Sequence, residues 1–305
     1  MPFYVPAGFT ILEIAVAIAL LAVIGILVTQ LVAATGYATR ASNRGIDAAS
    51  QARLAFDRLR LDFSARVKRA DVDFVVSNSL TAGPPYSLLF LSEVTSATPQ
   101  GVSFTNNRGV SVVGYQIDRA TNAARQGLLR AGKALVWNDT GWTGYQTNGL
   151  PASLPNLPVT LSASDFDVLS PAVIRAAIAF QLRPDGDVVT LADGTVLPRA
   201  LGQIVYSPPV RLDSNGNPSL LVDPNRIGAL IVGLVAMNPD SLTQLTDAQI
   251  AELAGAFSTP PNGTLPVAAW ASVAENVAGL PQSIPLAARQ SLRVFQRAFP
   301  IATTP

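Results

Sequence analysis

The sequence predicts an α+β fold in which one long N-terminal helix packs on an antiparallel β-sheet head. Three observations carry that prediction. No residue from Ile14 to Thr39 is charged, and the stretch from Phe9 to Val28, at about 1.5 Å of rise per residue, covers the roughly 30 Å hydrocarbon core of a bilayer. Beyond it, Ala52, Phe56, Leu59, Phe63 and Val67 recur at spacings of four, three, four and four, which puts them on one helical face. From Asp71 onward the pattern changes to short β-prone runs separated by Gly and Asn clusters.

The apolar run is read as a membrane span. A secretory signal peptide is the competing reading, but that needs a basic start, and Met1 to Ala7 contains no Lys or Arg. Ala33-Ala34-Thr35-Gly36 is a loose cleavage candidate for it. Glu13 interrupts the run near its start, and an ionisable group inside a membrane costs a few kcal/mol unless it is paired. Taken alone, such a glutamate is a carboxylate near a helix N-terminus, stabilised by the helix dipole or reaching the headgroups.

Glu13 is not alone. The string Gly8-Phe9-Thr10-Ile11-Leu12-Glu13 resembles the cleavage and methylation site of type IV pilins and type II secretion pseudopilins. The resemblance implies that a prepilin peptidase cuts after Gly8 and methylates the new N-terminal Phe9. It also implies that Glu13 serves assembly, its carboxylate neutralising the Phe9 ammonium of a neighbouring subunit in a low-dielectric helix bundle. The leader departs from the family in lacking Lys and Arg, while Arg40, Arg44 and Arg53 lie beyond the span. The distribution of positive charge would therefore orient the span the other way. Either translation starts upstream of Met1 or the short leader is accepted, and orientation follows the motif. The expected organisation is a leader at 1–8, a transmembrane helix at 9–34, an amphipathic stem at 35–70 and a head at 71–305.

In the stem, Phe56, Leu59 and Phe63 are the expected packing contacts with the head, while Arg58, Asp62 and Arg66 fall on other faces. The cluster Arg53, Arg58, Arg60, Arg66, Lys68 and Arg69 could grip nucleic acid or lipid headgroups. Asp57 and Asp62 sit among these cations and no aromatics are interleaved, so a solvated face with local ion pairs is preferred.

Strands are predicted at Val72–Val76, Ser87–Leu91, Gly109–Asp118 and Gly127–Trp137, the last two close enough to form an antiparallel hairpin. That hairpin resembles the heads of J-type minor pseudopilins. Ala55-Phe56-Asp57-Arg58 and Gly132-Lys133-Ala134-Leu135-Val136-Trp137 resemble a verrucomicrobial pilin-like group, cassette protein C, which has no established activity to lend. Asn138 to Pro158, with Trp142 and Tyr145, reads as an exposed loop. A short helical turn follows Pro171, then a half-buried strand over Ala176–Arg183 and a turn at Asp185-Gly186. Ile227–Met237 is too short to cross a bilayer and is read as the central strand. Thr246-Asp247 starts a helix over Ala248–Phe257. Pro260, Pro261 and Pro266 mark a linker before a helix over Val267–Val277. At the end, Arg289, Arg293 and Arg297 would form a stripe on a helix, whereas a strand, the preferred reading, would place Leu292 and Val294 on one face.

Composition narrows the chemistry. Of 305 residues, 49% are hydrophobic and 13% charged, and 21 Lys and Arg against 20 Asp and Glu leave a net charge of +1, so no bulk field draws the chain to nucleic acid. The absence of Cys and His excludes disulfides, thiolate nucleophiles, imidazole bases and Cys/His zinc sites. Asp213-Ser214-Asn215-Gly216-Asn217 alternates oxygen donors like a calcium loop, but its glycine falls two places early and an Asn-Gly turn explains it equally. Asp185 and Asp187 form a turn before they form a carboxylate pair. Asp165-Phe166-Asp167 and Asp71-Val72-Asp73 lack a second cluster that would complete a metal or glycosidase site. No catalytic residue, metal, cofactor or small-molecule substrate is therefore assigned.

The expected function is structural: a pilin-like subunit, a minor one given the size of its head, at a bacterial inner membrane with the head in the periplasm. Its expected partners are the peptidase and other pilin-like subunits. The alternative is a membrane-tethered extracytoplasmic binding module that does not polymerise and needs neither Phe9 nor Glu13.

Overall fold

The computed structural model describes residues 11–67, 75–76, 87–93, 107–118, 127–136, 161, 165–183, 189–190, 196–197, 203–206, 211–212, 218–220 and 227–301. The chain divides into two compact units, Met1–Arg44 and Gly45–Pro305. Helix α1, Ile11–Ser64, supplies all the described structure of the first unit and opens the second. The fold is α+β: this apolar N-terminal helix is followed by antiparallel sheets and short helices.

The second unit holds two main sheets. The first contains β1 (Val75–Val76), β2 (Leu88–Ser92), β3 (Asn107–Asp118), β4 (Gly127–Val136) and β5 (Phe166–Ser170), paired antiparallel in chain order. The β3–β4 pair is the anticipated hairpin, with Asp118 opposite Gly127. Gly127 has a φ of +71°, and a Cβ there would collide with the Ser170 carbonyl oxygen and Pro171, so both conformation and space require glycine.

The second sheet has the order β13 (Arg293–Pro300), β12 (Ile227–Ala236), β6 (Val173–Leu182) and β9 (Ile204–Val205), again antiparallel. Two small ribbons pair β7 (Val189–Thr190) with β8 (Val196–Leu197) and β10 (Arg211–Leu212) with β11 (Pro218–Leu220). The apolar run from Ile227 is the inner strand anticipated from its composition. The helices α2 (Pro239–Thr243), α3 (Asp247–Ala256), α4 (Pro266–Glu275) and α5 (Leu286–Gln290) fill the chain between β12 and β13.

The second sheet is covered on both faces. Leu230, Val232 and Leu234 of β12 and Ala176, Ile178 and Phe180 of β6 join one core with Ala48, Ala52, Phe56, Leu59 and Phe63 of α1 and with the first sheet. The alternate residues Ile231 and Val235 of β12 and Ile174, Ala177 and Ala179 of β6 join a second core with Ile250, Leu253 and Trp270 of the short helices. Opposite faces of one strand thus feed two cores, which is why β12 reads as a continuous apolar run.

Several local readings change. The strand expected to be half-buried at Ala176–Arg183 begins at Val173 and is buried on both faces, because helices cover the side assigned to solvent. Pro171–Ala172 form a two-residue turn from β5 to β6, too short for a helical turn. The α1 helix stops at Ser64, so Val67 is not part of the helical stripe; its N–H donates to the Leu91 carbonyl at 2.9 Å. Pro266, assigned to a linker, is the first residue of α4, where its missing N–H costs nothing. Arg289 belongs to α5 and Arg293 and Arg297 to β13, so the preferred strand is there, after a helix that was not anticipated. At α3, Thr246 caps the helix by a reciprocal pair of hydrogen bonds with Gln249.

Candidate functional site: the N-terminal helix

The sequence from Ile11 to Gly36 makes a 26-residue helical segment long and apolar enough to cross a membrane, about 39 Å at the α-helical rise. None of it is buried. Its hydroxyls are satisfied within the helix: Thr29 Oγ1 donates to the Gly25 carbonyl, Thr35 Oγ1 to Leu31 and Thr39 Oγ1 to Thr35, at 2.8 to 2.9 Å. An unpaired hydroxyl would be costly in an apolar medium, and back-bonding to the fourth preceding residue removes that cost. Glu13 lies in the first turn, where the helix dipole favours a carboxylate. Gly8 and Phe9 lie outside the described residues.

From Gly45 the helix belongs to the second unit, and its side chains explain how it docks. Ala48, Ala52, Ala55, Phe56, Leu59, Asp62 and Phe63 are buried; at 100° per residue the set from Ala52 to Phe63 covers an arc of about 120°. Phe63 fills the space between the two main sheets. Its ring meets Phe90 of β2 edge-on at 5.5 Å and Phe299 of β13 at 6.1 Å, while Phe56 lies 6.5 Å from Phe299. Leu59 is 6% exposed between them.

Asp62 corrects the reading of a solvated face. It is completely buried and is the hub of a polar network. Tyr115 of β3 donates its hydroxyl to Asp62 Oδ2 at 2.6 Å; Arg130 of β4 donates Nε to the same oxygen and Nη2 to Oδ1 at 3.1 Å. Arg58, one turn earlier, pairs with Oδ1 at 3.2 Å. Ser92 Oγ donates to the Asp62 main-chain carbonyl at 2.8 Å. A buried carboxylate is tolerated when it is paired and hydrogen-bonded in this way. Burial, then the charge and hydrogen bond of Asp62, push the Tyr115 phenol far above its ordinary pKa. Burial alone would lower Arg130, but the Asp62 hydrogen bonds and charge outweigh it and its pKa is raised. The sequence signal for this network is that Asp62 borders the apolar stripe while Tyr115 and Arg130 interrupt strands otherwise rich in Val and Leu. With no accessible surface, the Asp62 carboxylate positions the helix; it has no face to offer a ligand.

Two outer contacts complete the dock. Arg297 of β13 reaches Asp57 at 2.9 Å, with Arg53 on the same carboxylate at 3.8 Å. Asn238 Nδ2 donates to Asp47 at 2.8 Å while its Oδ1 caps α2. Arg66 lies over the Phe63 ring at 4.6 Å, and its burial lowers its pKa. Arg53, Arg58 and Arg66 of the stem are thus engaged with acids or rings. Lys68 and Arg69 lie outside the described residues.

Asp165 accepts from Lys133 at 3.4 Å. Asp71, Asp73, Asp185, Asp187 and the Asp213–Asn217 segment lie outside the described residues, as do Trp142 and Tyr145. Among the described residues no three Asp or Glu gather as a metal site would need. One buried cation escaped sequence reading: Arg175 of β6 donates to the Phe257 and Ala176 carbonyls at 3.0 Å and to Thr259 Oγ1 at 3.1 Å, 6.0 Å from the Trp270 ring. Burial lowers its pKa to about 10.

No protein-family model matches this chain, and neither a curated protein nor a solved structure is detectably similar to it.

Proposed function

We propose that the chain is a pilin-like subunit, a minor pilin or pseudopilin, which a prepilin peptidase cuts between Gly8 and Phe9 and which assembles through its N-terminal helix into a type IV pilus-like or type II secretion-like filament. The observation that carries the reading is one helix with two surfaces. Its first 26 residues are apolar and wholly exposed, and its last turns are buried among the strands of an antiparallel α+β unit. The string from Gly8 to Glu13 at the start of that helix supplies the specific chemistry. Cleavage creates an ammonium at Phe9, and Glu13 of a neighbour offers the carboxylate to neutralise it once both are removed from water. The apolar segment inserts in the bacterial inner membrane, and the head occupies the periplasm.

The test is intact-mass and N-terminal analysis of the full chain expressed with a prepilin peptidase. The expected product begins at a methylated Phe9, and a bulky residue at position 8 retains the leader. An unchanged mass with active peptidase present sinks the processing claim. Assembly is tested by Glu13→Ala in cells carrying the native machinery, with processing and membrane level verified. Loss of crosslinks between neighbouring N-terminal helices is expected, since the change leaves an ammonium unpaired in apolar surroundings. Wild-type crosslinking and function would favour the membrane-tethered binding module.

A further inference from the structure

Among the described residues the second sheet ends at β13, an eight-residue strand paired on one side only. In an antiparallel pair, residues alternate between those whose N–H and C=O both face the partner and those whose groups both face away. The Ile301 N–H donates to the Gly228 carbonyl at 2.9 Å, and the register continues with Phe299 opposite Leu230 and Arg297 opposite Val232. The inward set is therefore Arg293, Phe295, Arg297 and Phe299. Val294, Gln296 and Ala298 direct their backbone groups outward, joined by the Pro300 carbonyl, and none of these groups has a backbone partner among the described residues.

Two of the devices that blunt an edge, a bulge and an internal proline, are missing, while Arg293 and Arg297 place charge on the strand. The β12–β13 register runs without a bulge through eight residue pairs, and proline stands only at the end of the strand. The adjoining faces are covered, by α1 through Phe56 and Asp57 and by α4 through the Val267 N–H, which donates to the Gln296 side chain at 3.1 Å. Among the described residues no strand pairs with its outer rim. Arg293, Phe295 and Arg297 alternate on the α1 side. Arg297 is answered by Asp57, whereas the hydrogen bonds of Arg293 go to the main-chain carbonyls of Gln290 and Leu292, leaving an exposed cation without a carboxylate among the described residues.

We propose that the outer edge of β13 docks an extended segment of a partner protein, which adds a strand to the second sheet and carries an acidic residue opposite Arg293 and an apolar one opposite Phe295. Main-chain hydrogen bonds to Val294, Gln296 and Ala298 hold the segment, and the alternating side chains select it. A second copy of β13 satisfies the backbone but has no acidic residue to offer Arg293. The proposal stands independently of how the N-terminal helix is used.

The test uses the full chain in detergent micelles and amide hydrogen exchange read at single residues. Without peptide, the Val294, Gln296 and Ala298 amides exchange rapidly while those of Phe295, Arg297 and Phe299 are protected, which also verifies that the strand is folded. A short peptide of repeated Glu-Thr-Val-Thr, which sets Glu and Val two residues apart on one face, should at millimolar concentration slow the three outward amides about tenfold or more; the matching Lys-Thr-Val-Thr peptide should not. Arg293→Glu should reverse that preference. Outward amides protected before any peptide is added, protection that grows with protein concentration alone, equal protection by both peptides, or protection by neither would each overturn the proposal.

Discussion

Asp62 holds two arginines and a tyrosine around one carboxylate with no solvent access, so its removal strands the charges that surround it. Asp62→Ala should cost about 3–5 kcal/mol, measured by denaturant unfolding of the head. Phe63→Ala should cost a similar 3–5 kcal/mol or so by opening a cavity between the sheets. Tyr115 adds a pH signature. Its folded pKa lies far above a free phenol's value of about 10. Above that pH the unfolded chain has released the proton that the folded chain retains, so the unfolded state binds fewer protons and stability falls as pH rises. Arg175, lowered to about 10, gives the opposite slope in the same range, because there the folded state releases its proton first. The comparison is therefore between Tyr115→Phe and its parent in alkaline unfolding titrations. The variant should lose about 1.5–3 kcal/mol at neutral pH, as for a hydrogen bond to a charged group, and should fall less steeply above pH ~10.

At the scale of elements, α4 sits on β12 because Gly233 leaves room for it. A Cβ at that position would collide with the Pro266 ring and lie 3.3 Å from Trp270. Gly233→Ala should therefore destabilise by about 1–3 kcal/mol through overpacking, although alanine suits a strand better than glycine. A near-ultraviolet circular dichroism change at Trp270 should accompany the loss, and an unperturbed Trp signal with unchanged stability would refute this packing. The elements themselves were largely readable. The β3–β4 hairpin and β12 follow from apolar runs of strand length bounded by turn residues, and α3 follows from its cap. Arg289, Arg293 and Arg297 were ambiguous because their spacing of four fits a helix, whereas the alternation that decides for a strand lies in Val294, Phe295 and Gln296 and depends on the two cores they separate.

For the whole molecule, the boundary between compact units falls inside α1, at Arg44 and Gly45, and among the described side chains of the helix the first buried one is Ala48. A chain beginning at Gly45 should fold without detergent, unfold in one cooperative transition and remain monomeric on a sizing column. It loses the exposed apolar segment and none of the described core residues. Aggregation of that chain, with its strands unformed by circular dichroism, would show that the head needs the N-terminal segment.

The sequence by itself determined the α+β class, an N-terminal helix long and apolar enough for a membrane, and most strand positions, because these depend on local period and length. The string from Gly8 to Glu13 is read from contiguous residues alone, and its first three, Gly8, Phe9 and Thr10, lie outside the described residues. Only the tertiary structure decided that β6 is buried on both faces, that Asp62 meets Tyr115 and Arg130, and that β13 is the last strand of its sheet among the described residues. Each depends on which surfaces the chain brings together over separations of 50 residues or more, as from Asp62 to Tyr115 and Arg130. An acid at the margin of an apolar stripe has the same local pattern whether it meets water or a buried arginine, so its fate is fixed by what packs against it.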